Sequence, residues 1–386
     1  MFLDITKKRN PNLIKTAFEL HQNGLIQPDT YIIDLDNIVD NARKIKKEAD
    51  EYGINLYFMT KQVGRNPIVC KELMKLGYSG AVAVDFKEAM GLKENGIKLG
   101  HVGHLVQIPT NLVEDIVSAK PEVITVYSVE KALEISKAAE KLGFVQNIML
   151  RVLDEGDNLY PAQYGGFYLN ELLDKAKKIK ELSNINICGV TSFPCFLYDS
   201  KEKYIKETPN VETLKKAQKL LEDNLKIKIQ QLNMPSATCV SSIKNIAKQG
   251  GTHGEPGHGL TGTTPYHAEN QGEEIPCLVY VSEISHNLKE ESFCYGGGNY
   301  RRSHMSNALV GKSFEDATNV KTKSPSLESI DYYITLKSNA NVGDTVVMSY
   351  RTQIFVTRSS VAVVKGIKEG KPEVLGIYDS QGRKIK

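Results

Sequence analysis

The sequence carries no excess of charge of either sign: 49 Lys and Arg stand against 46 Asp and Glu, for a formal charge of +3. The two signs are interspersed, and no basic block of the kind that makes a nucleic-acid-binding arm is present. Small-molecule chemistry is the expectation, with no nucleic-acid partner. No stretch approaches the roughly 18 apolar residues of a membrane span, so no membrane partner is expected. The start, MFLDITKKRNPNL, lacks an apolar core followed by a small-residue cleavage site, and a cytoplasmic location is expected. Cys70, Cys188, Cys195, Cys239, Cys277 and Cys294 are scattered and form no Cys-x-x-Cys pair, which indicates neither a zinc site nor a disulfide framework. His101 and His104 lie in HVGHLVQI, an apolar and β-prone run that predicts opposite faces of a strand rather than shared metal ligation. The GxxxxGK[ST] order of a nucleotide P-loop is missing, which disfavours a nucleoside triphosphate.

What the sequence does have is alternation. At 386 residues and 41% hydrophobic content the chain is long enough for two domains and a large core, which excludes a disordered chain. Leu13, Ile14, Ala17, Phe18, Leu20 and Leu25 fall at helical spacing in an opening segment. Short apolar runs then alternate with charged amphipathic stretches. The runs TYIIDL from Thr30, NLYFMT from Asn55, GAVAV from Gly80, HVGHLVQI from His101, EVITVY from Glu122, QNIMLRV from Gln146, NICGVTSF from Asn186 and IQQLNMP from Ile229 predict eight strands. Helical patterns such as NIVDNARKIKKEADEYG and SVEKALEISKAAEKLG separate most of them. Repeated βα units at this count predict an α/β fold built on a (β/α)8 barrel, with an open doubly wound sheet as the other contender. Near residue 265 the helical patterns stop, and runs such as PCLVYVSEIS and QIFVTRSSVAVVKGI take over. The expected organisation is a helical extension over 1–29, a barrel over 30–265 and a mostly β C-terminal domain over 266–386.

Lys61 ends the second run, in YFMTKQVGRNP, which puts an ammonium at the C-terminal mouth of the barrel. Barrel enzymes keep their active sites at that face, and a lysine sheltered there is suited to form a Schiff base. Ser236 and Thr238, in LNMPSATCV, close the last barrel run with hydroxyls suited to a phosphate, although such residues also serve as turn and cap residues. Further on, the glycines of GEPGHG let the backbone N–H groups of Gly257 and His258 approach an anion.

TYIIDLDNIVDNARKI followed by a strand ending in Lys61 resembles the opening of the alanine racemase-like, fold-type III pyridoxal-phosphate enzymes. The chain is more closely similar to the YhfX-type branch of that superfamily over most of its length. Four segments carry the likeness: MTK at 59–61, NMPSAT at 233–238, GEPGHGLTG at 254–262 and CYGGGNYRR at 294–302.

The resemblance implies pyridoxal 5'-phosphate as cofactor, Lys61 as its Schiff-base lysine, and Ser236, with Thr238 beside it, at the phosphate. The amides of Gly257 and His258 would complete the phosphate cup. Where alanine racemases have Arg-Pro-Gly, this chain has Glu255-Pro256-Gly257, similar to the basic-amino-acid decarboxylases. That implies a carboxylate paired with the protonated ring nitrogen, which strengthens the ring as an electron sink. Tyr295 resembles the catalytic tyrosine that alanine racemases contribute across a homodimer interface. Cys294 aligns with the decarboxylases' catalytic cysteine, so either residue is a candidate second proton donor. Arg151 resembles a strand-end arginine that faces the cofactor, the alternative being a pair with a structural carboxylate. Arg65 stands where the racemases have a phosphate-binding tyrosine, and its charge suits either a phosphate or solvent. MSYRTQIFV has the racemase-like Ser-Tyr-Arg from Ser349 but not the tyrosine expected downstream, so part of the phosphate site differs.

The implied activity is an amino-acid racemase, with Lys61 and Tyr295 exchanging the Cα proton on opposite faces of the substrate. The alternative is a decarboxylase or lyase of the same fold. A non-catalytic carrier, as in the single-barrel proteins of pyridoxal-phosphate homeostasis, resembles the barrel alone and leaves the residues beyond 265 unexplained. The motifs do not fix which amino acid is the substrate.

Overall fold

Strands in which every residue is buried, such as Gly80–Ala83 and Val123–Val126, are what a parallel sheet covered by helices requires. In the computed structural model, which describes residues 2–269 and 272–386, eight parallel strands, five of them buried throughout, close into a ring. They are Asn55–Met59, Gly80–Ala83, Leu99–Val102, Val123–Val126, Gln146–Leu153, Ile185–Thr191, Gln231–Asn233 and His253–Gly254. Each pairs with the next, and His253 and Gly254 pair back onto Asn55 and Leu56 of the first. Local signals set the connecting helices. Val129–Leu142 begins at Ser128, whose hydroxyl accepts from the Lys131 N–H, and ends at Gly143 with φ 73°. Its Ala132, Ile135, Ala138 and Ala139 form the buried stripe, at helical spacing. The ring belongs to one compact unit, Ile45–Thr60 with Cys70–Gly257.

The second unit comprises the chain up to Lys44, Lys61–Val69 and His258–Lys386. Its sheet runs in the order Thr318–Lys321, Asn307–Gly311, Thr345–Met348, Leu278–Leu288, Thr30–Asp34, Ser360–Lys365 and Glu373–Tyr378. Glu291–Tyr295 folds back antiparallel on the far end of Leu278–Leu288 and pairs in turn with Tyr333–Leu336. One face of the sheet is covered by the helix Pro11–Gln22, capped by Asn10, whose side chain accepts from the Leu13 N–H. Leu13, Ile14, Ala17, Phe18 and Leu20 from this helix share a core with Ile32, Val279, Val281, Val347, Ala362 and Val364. Each such side chain removed from water contributes about 1.5–3 kcal/mol. Leu25, expected on the same stripe, lies beyond the helix and is exposed.

The barrel and the following β domain are as predicted, but two strands were misplaced. Thr30–Asp34, expected to open the barrel, lies in the second unit, antiparallel to Leu278–Leu288 and parallel to Ser360–Lys365. All five of its residues are buried, and a strand covered on both faces reads alike in either sheet. The ring takes as its eighth member His253–Gly254, two residues long and too short to show any period. The run HVGHLVQI is not one strand either: Leu99–Val102 ends at Gly103, whose φ of 78° turns the chain before His104. Among the described residues, no helix is long and apolar enough to cross a membrane.

Candidate active site

Within the barrel unit the polar centre is Glu255, just past the strand His253–Gly254, with a side chain 1% exposed. Its Oε1 accepts from His101 Nδ1 at 2.6 Å and from Asn233 Nδ2 at 2.9 Å. Its backbone N–H donates to Thr238 Oγ1 at 3.1 Å. The far nitrogen of His101, Nε2, lies 2.5 Å from Thr125 Oγ1. The other carboxylate oxygen, Oε2, faces His104 Nε2 at 3.8 Å and accepts no hydrogen bond. Burial alone would push this carboxyl up; the charges of His104 and His101 and the hydrogen bonds from His101 and Asn233 hold it down at about 2.

The turn at Gly103 thus brings the two histidines together, where opposite faces of a strand had been predicted. Donor atoms of His101, His104 and Glu255 lie within 4.8 Å of one another, a His2Glu set of the kind that ligates zinc. Sequence reasoning missed His101, Thr125 and Asn233 as neighbours of Glu255. The available signal was a glycine between two histidines just after a strand.

Ser236 and Ala237 both have positive φ, 95° and 50°, which marks a tight and strained turn after the strand Gln231–Asn233. The Ser236 hydroxyl donates to the Phe196 carbonyl at 2.8 Å. Arg151, on Gln146–Leu153, is fully buried, with Nη1 donating to the Tyr127 hydroxyl and Nη2 to the Gln163 carbonyl at 2.7 Å. Its guanidinium carbon also lies 5.0 Å from the centre of the Tyr127 ring. Its hydrogen bonds therefore go to neutral groups, where a structural carboxylate had been the alternative.

In the second unit, Lys61 opens the short 3-10 turn Lys61–Val63 and is half-buried. Its charge falls on His258, which is half-buried and donates from Nε2 to the Thr352 carbonyl at 2.9 Å. Burial, and then the charges of Arg351, Lys61 and Arg302, push the His258 imidazole well below its ordinary value. A neutral histidine ringed by three cations marks an electropositive locus suited to an anion. Arg65 is buried with φ 56°, donates to Gln381 Oε1 at 2.6 Å and stands 5.4 Å from the centre of the Phe355 ring. Solvent exposure, one of its two expected fates, is thereby excluded.

Cys294 and Tyr295 are consecutive on Glu291–Tyr295 and so point to opposite faces. Tyr295 is 39% exposed and lines an open cavity of about 480 Å³ with Asp29, Tyr332, Tyr333 and Arg358. Cys294 points inward, with Sγ 3.6 Å from the Ile334 carbonyl, and burial pushes its thiol up to about 12. The thiol is shielded from solvent within this chain, and Tyr295 is the outward-facing residue of the two.

Residues 33–265 match the family described as alanine racemase, N-terminal domain, and residues 279–374 match that described as YhfX-like, C-terminal domain. The "Uncharacterized protein YhfX" of Escherichia coli (strain K12) is 45% identical over 388 residues, covering 100% of both chains. Among solved structures, an alanine racemase of Clostridium difficile 630 superposes with a TM-score of 0.66 at 18% identity, covering 92% of this chain and 99% of its own. A D-threonine aldolase from Filomicrobium marinum gives 0.66 at 13% identity, covering 93% and 96%. A D-threo-3-hydroxyaspartate dehydratase from Delftia sp. HT23 gives 0.65 at 12% identity, covering 90% and 97%. At these identities the likeness is one of fold.

Proposed function

Because the chain belongs to the alanine racemase-like family, in its YhfX-type branch, we propose that it is a pyridoxal-phosphate-dependent amino-acid racemase. Members of this family typically bind that cofactor. The observation that carries the cofactor part of the reading is Glu255 Oε2, a buried carboxylate oxygen that accepts no hydrogen bond. Such an orphan acceptor fits a ring N–H, and the cations around His258 fit a phosphate. When bound, the cofactor supplies an electron sink that makes the Cα–H of an amino acid acidic.

The chain's own residues do the rest. Lys61 holds the cofactor through Nζ and then takes or returns a proton at Cα from one face. Glu255 keeps the ring nitrogen protonated by accepting from it. Ser236 with Thr238, the amides of Gly257 and His258, and Arg65 grip the phosphate. Arg151, held by Tyr127 and Gln163, would face the cofactor from the end of its strand. Tyr295 works on the opposite face of Cα, supplied by a second copy of the chain in a homodimer, and its exposure at a strand end supports that role.

Single-enantiomer amino acids incubated with the protein in deuterated water test the reading. Solvent-derived deuterium at Cα together with the mirror-image product is expected from wild type; Tyr295→Phe should give no mirror-image product, with exchange left only for the enantiomer whose Cα–H faces Lys61. Borohydride should fix a pyridoxyl mass on Lys61, and Lys61→Ala should lose both that mass and the visible absorbance. No Cα exchange with any amino acid of a full panel would sink the racemase assignment. The second reading, an amino-acid decarboxylase or lyase, is favoured by Glu255, which stands where alanine racemases have an arginine. Carbon dioxide or ammonia released without inversion would support it.

A further inference from the structure

We propose that His101 is a positioning residue for the cofactor ring: gripped between Thr125 and Glu255, it fixes the carboxylate so that Oε2 is the oxygen left for the ring nitrogen. The inference rests on the reading that Glu255 pairs with that nitrogen. Oε1 receives two N–H donors, from His101 at 2.6 Å and Asn233 at 2.9 Å, and Oε2 receives none. A buried carboxylate serving only as a strut would have both oxygens bonded; one saturated and one open is an acceptor held ready.

The chain of bonds also fixes the orientation of the imidazole. An ionised carboxylate only accepts, so His101 carries its proton on Nδ1. Nε2 is bonded to the Thr125 hydroxyl, 2.5 Å away and buried, in either charge state, accepting from it in the neutral ring and donating to it in the cation. Thr125 thereby holds the ring with Nδ1 aimed at the carboxylate. The titratable groups around the pair are His104, whose ring centroid lies 5.0 Å from that of His101, Tyr57 at 6.2 Å, His253 and the Cys195 thiol. Glu122 acts on His253 from beyond them.

The test is pyridoxal-phosphate binding to the apoprotein, followed by visible absorbance between about pH 5.5 and 8.5. His101→Leu removes the donor to Oε1 and is expected to weaken binding by about tenfold, increasingly as pH falls and Glu255 takes up a proton. His101→Asn keeps an N–H near the Nδ1 position and should restore most of the affinity and the wild-type spectrum. Thr125→Val attacks the same device without touching the carboxylate, and should shift the pH profile in the same direction by less. If His101→Leu does not fold, as judged by thermal unfolding of the apoprotein, the other two variants carry the test.

Wild-type affinity and an unshifted pH profile in folded His101→Leu, or in both other variants, would overturn the proposal while leaving the cofactor reading intact. A stoichiometric transition metal in the purified protein that disappears with His101 would overturn it too, by making the ring a ligand. Failure of the wild-type protein to take the cofactor at Lys61 would instead bring down the parent reading, and the proposal with it.

Discussion

The guanidinium of Arg151 donates to the Tyr127 hydroxyl at 2.5 Å, and that hydroxyl donates onward to the His104 carbonyl at 2.7 Å. A buried cation held only by neutral acceptors depends on each of them, since the loss of one leaves an unpaired donor in a dry interior. Tyr127→Phe is expected to lower the unfolding free energy by about 1–3 kcal/mol in urea titrations. Arg151→Lys should destabilise as well, because an ammonium cannot span Tyr127 and Gln163 together. Unchanged denaturation midpoints in both variants would show that the chain of bonds is not used.

Acidification should act on two buried groups with opposite sign. Burial, opposed by the charges of Glu122 and Glu255, holds the His253 imidazole down from 6.5 to about 4. In the window from pH 6.5 to 4 the unfolded chain therefore gains a proton that the folded one refuses, and stability falls as pH falls. Asp29 runs the other way: burial, against hydrogen bonds from Ser359 and Tyr280, raises it from 3.8 to about 6. The folded chain takes its proton first, so this group adds stability as pH drops from above 6 toward 3.8. His253→Phe should lose less stability on acidification than wild type, and Asp29→Asn should lose more. Thermal midpoints measured from about pH 4 to 7 check both signs.

All six cysteines are buried and none is in a disulfide. A thiol-reactive disulfide reagent is expected to leave the folded protein unlabelled and to react only as it unfolds. Cys294→Ala should leave Cα proton exchange at the wild-type rate, at a stability cost of about 1 kcal/mol for the small cavity. A collapse of turnover in that variant, with cofactor binding intact, would return the thiol to the chemistry.

Gly297 has φ 124°, and a Cβ placed on it would lie 2.0 Å from the Asp29 carboxylate. Gly297→Ala combines backbone strain with that clash, and a loss of at least about 1–3 kcal/mol is expected. Because the position is two residues from Tyr295, turnover should fall further than cofactor affinity does. Equal falls in both would argue that the glycine serves only the fold.

Much of this was legible in the sequence because it rested on period and punctuation. The barrel announced itself through repeated strand and helix patterns, and the position of Lys61 just past a ring strand through the buried run before it. What escaped depended on geometry without a period. Thr30–Asp34 reads as a buried strand wherever it goes, and only its partners Val281 and Ser360 assign it to the second unit. The meeting of His101 with Glu255 joins residues 154 apart and was hidden by treating HVGHLVQI as one straight strand. The fate of Cys294 was decidable in principle, since neighbours on a strand cannot share a face, once Tyr295 was taken as the outward residue.

The central position of Thr30–Asp34 also has a temporal consequence. Residues that neighbour it in space, around Val281 and Ser360, are among the later ones a ribosome makes. The ring strands from Asn55 to Gly254 can find one another in the order of their synthesis, while the beginning of the chain waits with five apolar-environment residues and both strand edges uncovered. The newborn polypeptide therefore carries an uncovered strand through most of its elongation, and a copy stopped short of Ser360 would keep one edge of it open.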